Sequence, residues 1–358
     1  MYFSKNLLIL FAATFSLFIA FSSNDHNRVS AHPVTKNPNP NHHNHHHKHN
    51  IKPHTRLPIN VKSTTSFKPK TTKSSKPKIV TRGATALGIA PLYNPNNKAA
   101  NGHQVFFNNP ATNIDYHQGE VMSGLTNIHF IYYGDWNNQD ERNILQTFFE
   151  NVDGTPWFQT LQKYSNLVNK NITGPIKLTH VLTNEYTHGS SLTKQNHIDI
   201  VNEALDQNIL PEESNAIYFI LSSKDVRSEG FCKDYCGYHS HFTRPSNTQL
   251  IYSYVGNAEE QCASGCATGN PNISPNSNVG VDGMINIMAH ELIESMNDPF
   301  LSAWYDSNGQ ESADKCNFNF GKTAKAENNA DYNMIVNDIK YNIQMNWNPI
   351  TAECDIGS

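Results

Sequence analysis

The chain has 358 residues, a formal net charge of -4 and six cysteines. A charge so close to balance gives neither nucleic acid nor an anionic membrane surface reason to be the main partner. Apart from one apolar run at the start, too short for a comfortable bilayer crossing, no segment is long and apolar enough to span a membrane.

Residues 1–22 read as a secretory signal peptide: Lys5 supplies the positive end, Leu7 to Phe21 is almost unbroken apolar sequence, and Ala20 and Ser22 are small residues suited to cleavage. Residues 23–100 are rich in His, Asn, Lys and Pro, with few large apolar side chains to offset the entropy of ordering, and are expected to be disordered. Within them, Asn41 to Asn50 is a histidine tract able to chelate metal or to charge below about pH 6.5. A plain low-complexity linker is the simpler reading of this tract. Lys62, Lys68, Lys70, Lys73, Lys76 and Lys78 make the next stretch basic.

Residues 101–358, about 250 residues, suffice for one core, and a single domain is expected. Thr126 to Tyr133 has strand composition, and the region Asn137 to Phe149 carries Ile144, Leu145, Phe148 and Phe149 at helical spacing. Thr155-Pro156 reads as an N-cap followed by proline in the first turn. Ile176 to Leu182 predicts a strand, Leu192 to Asp206 a helix, and Ala216 to Leu221 and Gln249 to Val255 two further strands. A helix from Gly283 to Met296 follows, with Asp282 as its cap and Asn297-Asp298-Pro299 as its end. Strands alternating with helices predict an α/β domain.

That last helix carries the chemistry. His290 and Glu294 are four residues apart and share a helical face, with Glu291 beside them, so the segment nearly spells the zinc-protease HExxH signature but has a carboxylate in place of the second histidine. Carboxylate is a legitimate zinc ligand, yet it makes the metal a poorer Lewis acid. Read blandly, His290 and Glu294 form an i,i+4 polar pair on the wet side of an amphipathic helix. Downstream, Asp306, Glu311 and Asp314 offer further carboxylates.

All six cysteines lie between Cys232 and Cys354. In an exported chain, Cys232, Cys236, Cys262, Cys266, Cys316 and Cys354 read as disulfide halves, with Cys316–Cys354 the favoured pair. Asn171 and Asn272 head glycosylation sequons. His239 and His241 would share one face of a strand, though surface histidines in a disulfide-braced loop are the simpler expectation. His129 reads as a hydrogen-bonded core histidine. The aromatics Tyr252, Tyr254, Trp304, Tyr305 and Trp347 fit core packing or a saccharide or peptide platform.

Taken together, Ile131-Tyr132-Tyr133-Gly134, Phe231-Cys232, Cys236-Gly237-Tyr238-His239, Tyr254-Val255-Gly256-Asn257, Val279-Gly280-Val281-Asp282-Gly283-Met284-Ile285, Ala289-His290-Glu291-Leu292, Glu294, Ala303-Trp304-Tyr305, Glu311, Ala313-Asp314, Cys316 and Cys354 give the chain from about Tyr116 onward a resemblance to the EXORDIUM or phosphate-induced protein 1 family. The Gly-rich stretch common near the C-terminus of such proteins is replaced here by Lys322 to Asn329. The resemblance implies a secreted, extracellular protein linked to growth and cell expansion, with matrix or cell-surface proteins or polysaccharides as partners. The likeness of the helix to zincins implies a zincin-like fold, with Glu311 returning as third ligand beside His290 and Glu294, Glu291 as general base, Asp314 orienting a ligand and Asp306 as the alternative donor. One imidazole and two carboxylates cancel a divalent charge, so zinc is the first expectation and Mn or Ca compete. The expected function is therefore a growth-related matrix protein that retains a metal site; the alternative is an active secreted zinc metallopeptidase built on the HExxE helix.

Overall fold

In the computed structural model, which describes residues 88–92, 113–166 and 170–357, the chain is built on a mixed six-stranded sheet. The signal peptide, histidine tract and basic stretch expected at residues 1–78 lie outside the described residues. The strands are β1 (Gly88–Ala90), β2 (Thr126–Tyr133), β3 (Ile176–Asn184), β4 (Ala216–Ser222), β5 (Gly237–Thr243) and β6 (Gln249–Gly256), in the spatial order β1-β5-β6-β4-β2-β3. Strands β3, β2, β4 and β6 run parallel; β5 pairs antiparallel with β6, and β1 antiparallel with β5 at the edge.

The three main helices are α1 (Gln139–Asn151), α2 (Lys194–Asp206) and α3 (Val279–Asn297). Helix α1 begins where Asn138 accepts the N–H of Asp140, and buries the expected Ile144, Leu145, Phe148 and Phe149. Thr193 and Asn196 form a reciprocal capping box on α2. Thr155 caps the short helix Pro156–Gln159 as its sequence predicts. Helix α3 starts earlier than expected: Asn278, not Asp282, is its cap, accepting from the N–H of Val281, while Asp282 accepts hydrogen bonds from Asn276.

Sheet register sorts the side chains into two faces. Ile131, Ile220, Tyr254 and Tyr238 stand in line across one face, where His197 of α2 stacks on Tyr254 at 4.0 Å and its Nδ1 lies 2.6 Å from the Tyr238 hydroxyl. Phe130, Phe219, Ser253, His239 and Gly88 stand in line across the other. Phe149 of α1 meets Phe130 and Phe219 edge-on, and Ile287 of α3 lies against Gly237, so α1 and α3 cover this second face. Along that row the side chains change from large and apolar at the centre to small and polar at the β5 edge. This leaves room beneath α3 for ionisable groups.

His129 is fully buried and hydrogen-bonds with Thr179, and Tyr252 and Tyr254 are core residues, while Trp304 and Tyr305 are half-buried. The C-terminal segment returns over α1 and the short helix: Trp157 Nε1 donates to Gln344 O at 2.8 Å, and the Tyr341 hydroxyl donates to Ile144 O at 2.8 Å. Three disulfides, Cys232–Cys262, Cys236–Cys266 and Cys316–Cys354, use all six cysteines. Strand β1 lies inside the stretch expected to be disordered; its few residues are held by the sheet edge rather than by a core of their own. Among the described residues no helix is long and apolar enough to cross a membrane.

Candidate functional site

Helix α3 has no wet side. Every residue from Gly280 to Asn297 is buried, and His290, Glu291 and Glu294 are completely so. The amphipathic-surface reading of His290 and Glu294 therefore fails. Two carboxylates in a desolvated interior need compensating charge and hydrogen bonds close at hand.

The compensation comes from a loop and from the opposite strand. After α3 ends, Asp298 accepts the N–H groups of Ser302 and Ala303, turning the chain back. Asp306 then closes its own turn, accepting from the N–H groups of Asn308 and Gln310 and from Lys315 Nζ at 3.0 Å, and it joins neither of the donor groups described below. A single helical turn, Asp314–Cys316, follows. Its leading N–H groups, those of Ala313 and Asp314, donate to Glu294 Oε1 at 3.1 and 3.0 Å. The Cys316–Cys354 bridge pins this turn, and Asn297 Nδ2 donates to Ser312 Oγ at 2.6 Å.

His290 Nε2 faces two carboxylates, 3.2 Å from Glu294 Oε1 and 3.5 Å from Asp314 Oδ1. Its other nitrogen, Nδ1, is 3.2 Å from Gln344 Oε1. Because Gln344 Nε2 donates to Ala313 O, the Gln344 oxygen is left to accept, which assigns the Nδ1 proton to His290. The pair Nε2 and Asp314 Oδ1, together with Glu294 Oε2, is buried and makes no hydrogen bond. A neutral imidazole would aim a lone pair at carboxylate oxygens; the arrangement requires either a second proton or a cation. Burial pulls the His290 pKa down, but Glu294, Asp314 and Glu291 outweigh it and raise it well above the ordinary histidine value. Burial likewise pushes Glu294 up to about 7 against the opposing pull of His290, and pushes Glu291 well above the usual carboxylate range.

On the far side of Glu294, toward β5, stands His239. Its Nδ1 is 3.3 Å from Glu291 Oε2 and 3.9 Å from Glu294 Oε2, and its Nε2 is 3.8 Å from Glu311 Oε1. Two donor groups result, His290–Glu294–Asp314 and His239–Glu294–Glu311, each with its ligand atoms within 4.8 Å of one another. The ligand set expected from sequence, His290 with Glu294 and Glu311, is thus divided. The turn at Asp314 directs that carboxylate to His290 and leaves Glu311 on the His239 side. Asp314, expected to orient a ligand, belongs to the His290 group.

His239 and Gln344 were not foreseen as site residues. His239 is no surface histidine but fully buried on β5. The alternation of Gly237 to Thr243 places His239 and His241 on one face, but nothing local says that this face meets α3. His241 is buried as well, edge-on to Phe300 at 5.3 Å, and burial lowers its pKa. The sequon asparagines Asn171 and Asn272 are both exposed.

Residues 114–356, which hold β2 through α3 and both donor groups, match the phosphate-induced protein 1 conserved region. The chain belongs to the phosphate-induced protein 1 family. Among its relatives, Protein EXORDIUM-like 3 of Arabidopsis thaliana is 30% identical over 280 residues, covering 67% of this chain and 82% of the relative. Protein PHOSPHATE-INDUCED 1 of Nicotiana tabacum is 28% identical, covering 67% and 87% respectively. Protein EXORDIUM of Arabidopsis thaliana is 28% identical over 59% of this chain and 75% of the relative. No solved structure gives a significant match. The family region includes every ionisable residue of the site, whereas β1 lies ahead of it.

Proposed function

We propose that the protein is a secreted, growth-related matrix protein whose buried cluster holds one divalent cation, zinc first among the choices, with His290, Glu294 and Asp314 as ligands. The observation that carries this reading is that His290 Nε2 and Asp314 Oδ1, both buried and without a hydrogen bond, converge with the Glu294 carboxylate. One neutral imidazole and two carboxylates balance a divalent charge in a place where uncompensated anions are costly. Gln344 supplies the hydrogen bond that a metal-bound histidine ordinarily makes through its other nitrogen. An otherwise parallel sheet whose one reversed strand, β5, lies beside the motif helix supports the zincin-like reading of the fold. Family membership and three disulfides support an extracellular role in growth or cell expansion, with matrix or cell-surface partners.

The cation's place is structural in this reading. Glu291, the base that a hydrolytic mechanism would use, is completely buried, its carboxyl is pushed toward the protonated form, and Oε1 accepts the Ala90 N–H at 3.2 Å. Such a group is poorly disposed to take a proton from water. The test is elemental analysis of full-length protein purified without a metal column, beside His290→Ala and Asp314→Ala. The histidine tract is common to all three, so the difference reports the buried site. About one equivalent more metal in the wild type is expected; equal content in all three would refute the site.

A further inference from the structure

Strand β1 is held as a bound peptide is held. It is three residues long and comes from ahead of the family region. It pairs antiparallel along β5, with Gly88 opposite His239 and Ala90 opposite Gly237. Main-chain groups make its polar contacts: Ala90 O accepts from the Cys236 N–H at 2.8 Å, the Ala90 N–H donates to Glu291 Oε1 at 3.2 Å, and Pro91 O accepts from Asn317 Nδ2 at 3.0 Å. Leu92 packs against Gly265, where a Cβ would lie 2.9 Å from Leu92 Cδ2, so the turn braced by Cys266 forms a seat for one apolar side chain.

The fit is tightest at Gly88. A Cβ there would lie 1.9 Å from His239 Cε1 and 2.7 Å from Glu311 Oε2. A sheet edge that binds through main-chain hydrogen bonds, demands glycine at one position and offers an apolar seat four residues later has the features by which sheet edges recognise extended peptides. We propose that the β5 edge is a peptide-binding groove, that Gly88–Leu92 is its intramolecular occupant, and that an extended peptide of the pattern Gly-x-x-x-Leu takes its place when this strand withdraws. The ligand class is an unfolded or terminal protein segment. Recognition of this kind involves no cleavage, and none of the strand's contacts named above is to His290, Glu294 or Asp314, so it does not depend on the metal reading above.

The experiment uses the full chain and a dye-labelled peptide with the sequence of residues 86–92, followed by fluorescence anisotropy. In wild-type protein the tethered strand competes, so binding is weak. Gly88→Val in the chain evicts that strand, and affinity for the free peptide is expected to rise at least about tenfold. The same Gly88→Val change in the peptide should abolish binding. A folded Gly88→Val chain that binds the peptide no better than wild type overturns the proposal. Hydrogen exchange on the unaltered wild type gives an independent reading: the Ala90 amide should exchange far faster than those of β4 and β6. Protection of Ala90 equal to that of the central strands would show β1 to be a permanent part of the sheet, and the groove would fall with it.

Discussion

Gln344 Oε1 lies 3.2 Å from His290 Nδ1, while the amide nitrogen of the same side chain is tied to Ala313 O. One glutamine thus orients the imidazole from below and holds the turn that brings Asp314 to it. Gln344→Leu keeps the volume but removes both bonds. Cation affinity is expected to fall about ten- to a hundredfold, as for other residues that orient a ligand; competition with a chromophoric chelator measures it, and unchanged affinity would remove Gln344 from the site.

Glu291 separates burial from ligation. Because its carboxyl is held toward the neutral form by burial, Glu291→Gln should cost no more than about 1 kcal/mol and leave the bound metal unchanged. Glu291→Ala deprives the Ala90 N–H of its acceptor and opens a cavity, with an expected cost of about 2–4 kcal/mol. Chemical denaturation with parallel metal analysis checks both, and metal loss in Glu291→Gln would make Glu291 a ligand.

Opening the Cys316–Cys354 bridge should loosen the turn that feeds Glu294 its two N–H groups. The double Cys316→Ser, Cys354→Ser variant is expected to lose about 3 kcal/mol and to release its cation more readily to a chelator. Calorimetry reads the first effect. A variant that melts lower yet keeps its metal as firmly as wild type would show that the turn holds its shape without the bridge.

Acid should destabilise the protein through His197. Burial lowers its pKa to about 3 in the fold, below the ordinary value of 6.5, so the unfolded chain binds the extra proton first as pH falls. The stability this neutral histidine contributes is complete above pH 6.5 and is lost on descending toward pH 3, at up to about 1.4 kcal/mol per pH unit. His197→Phe should flatten the stability profile in that window by about one proton. An unchanged slope in urea titrations between pH 6 and 4 would contradict it.

The elements that were legible in the sequence are those whose cause is local. Thr126–Tyr133 matches its strand to the residue, because an unbroken apolar and aromatic run has no other stable use, and Thr155 marks a helix start through a bond made within a single turn, whereas α2 begins at Lys194 behind its Thr193 cap, two residues after the expected Leu192. Helix α3 was recognisable, but its start was misplaced by four residues' worth of chain, since Asn278 and Asp282 are both able to cap and only packing decides between them. The site was half legible. His290 and Glu294 announce themselves by helical spacing, whereas choosing Asp314 over Glu311 depends on which way one short turn faces. His239 depends on which side of β5 meets α3, and Gly-Ile-Ala at residues 88–90 is too short to signal a strand without the edge it joins.

The paired bridges at Cys232–Cys262 and Cys236–Cys266 have a redox consequence. Both partners step by four residues, so the bridges lie side by side, and Cys262 Sγ is only 3.5 Å from Cys266 Sγ. A thiol reductant that caps Cys232 frees the Cys262 thiolate, which can attack Cys266 Sγ and expel Cys236; attack of Cys236 on the capped Cys232 then releases the reductant and leaves a crossed isomer, Cys232–Cys236 with Cys262–Cys266, of identical mass. Intact-mass measurement is blind to that isomer; peptide mapping under acidic, exchange-quenching conditions distinguishes the two. The two bridges therefore behave as one four-sulfur unit toward a reductant, with a single breach exposing both to reshuffling.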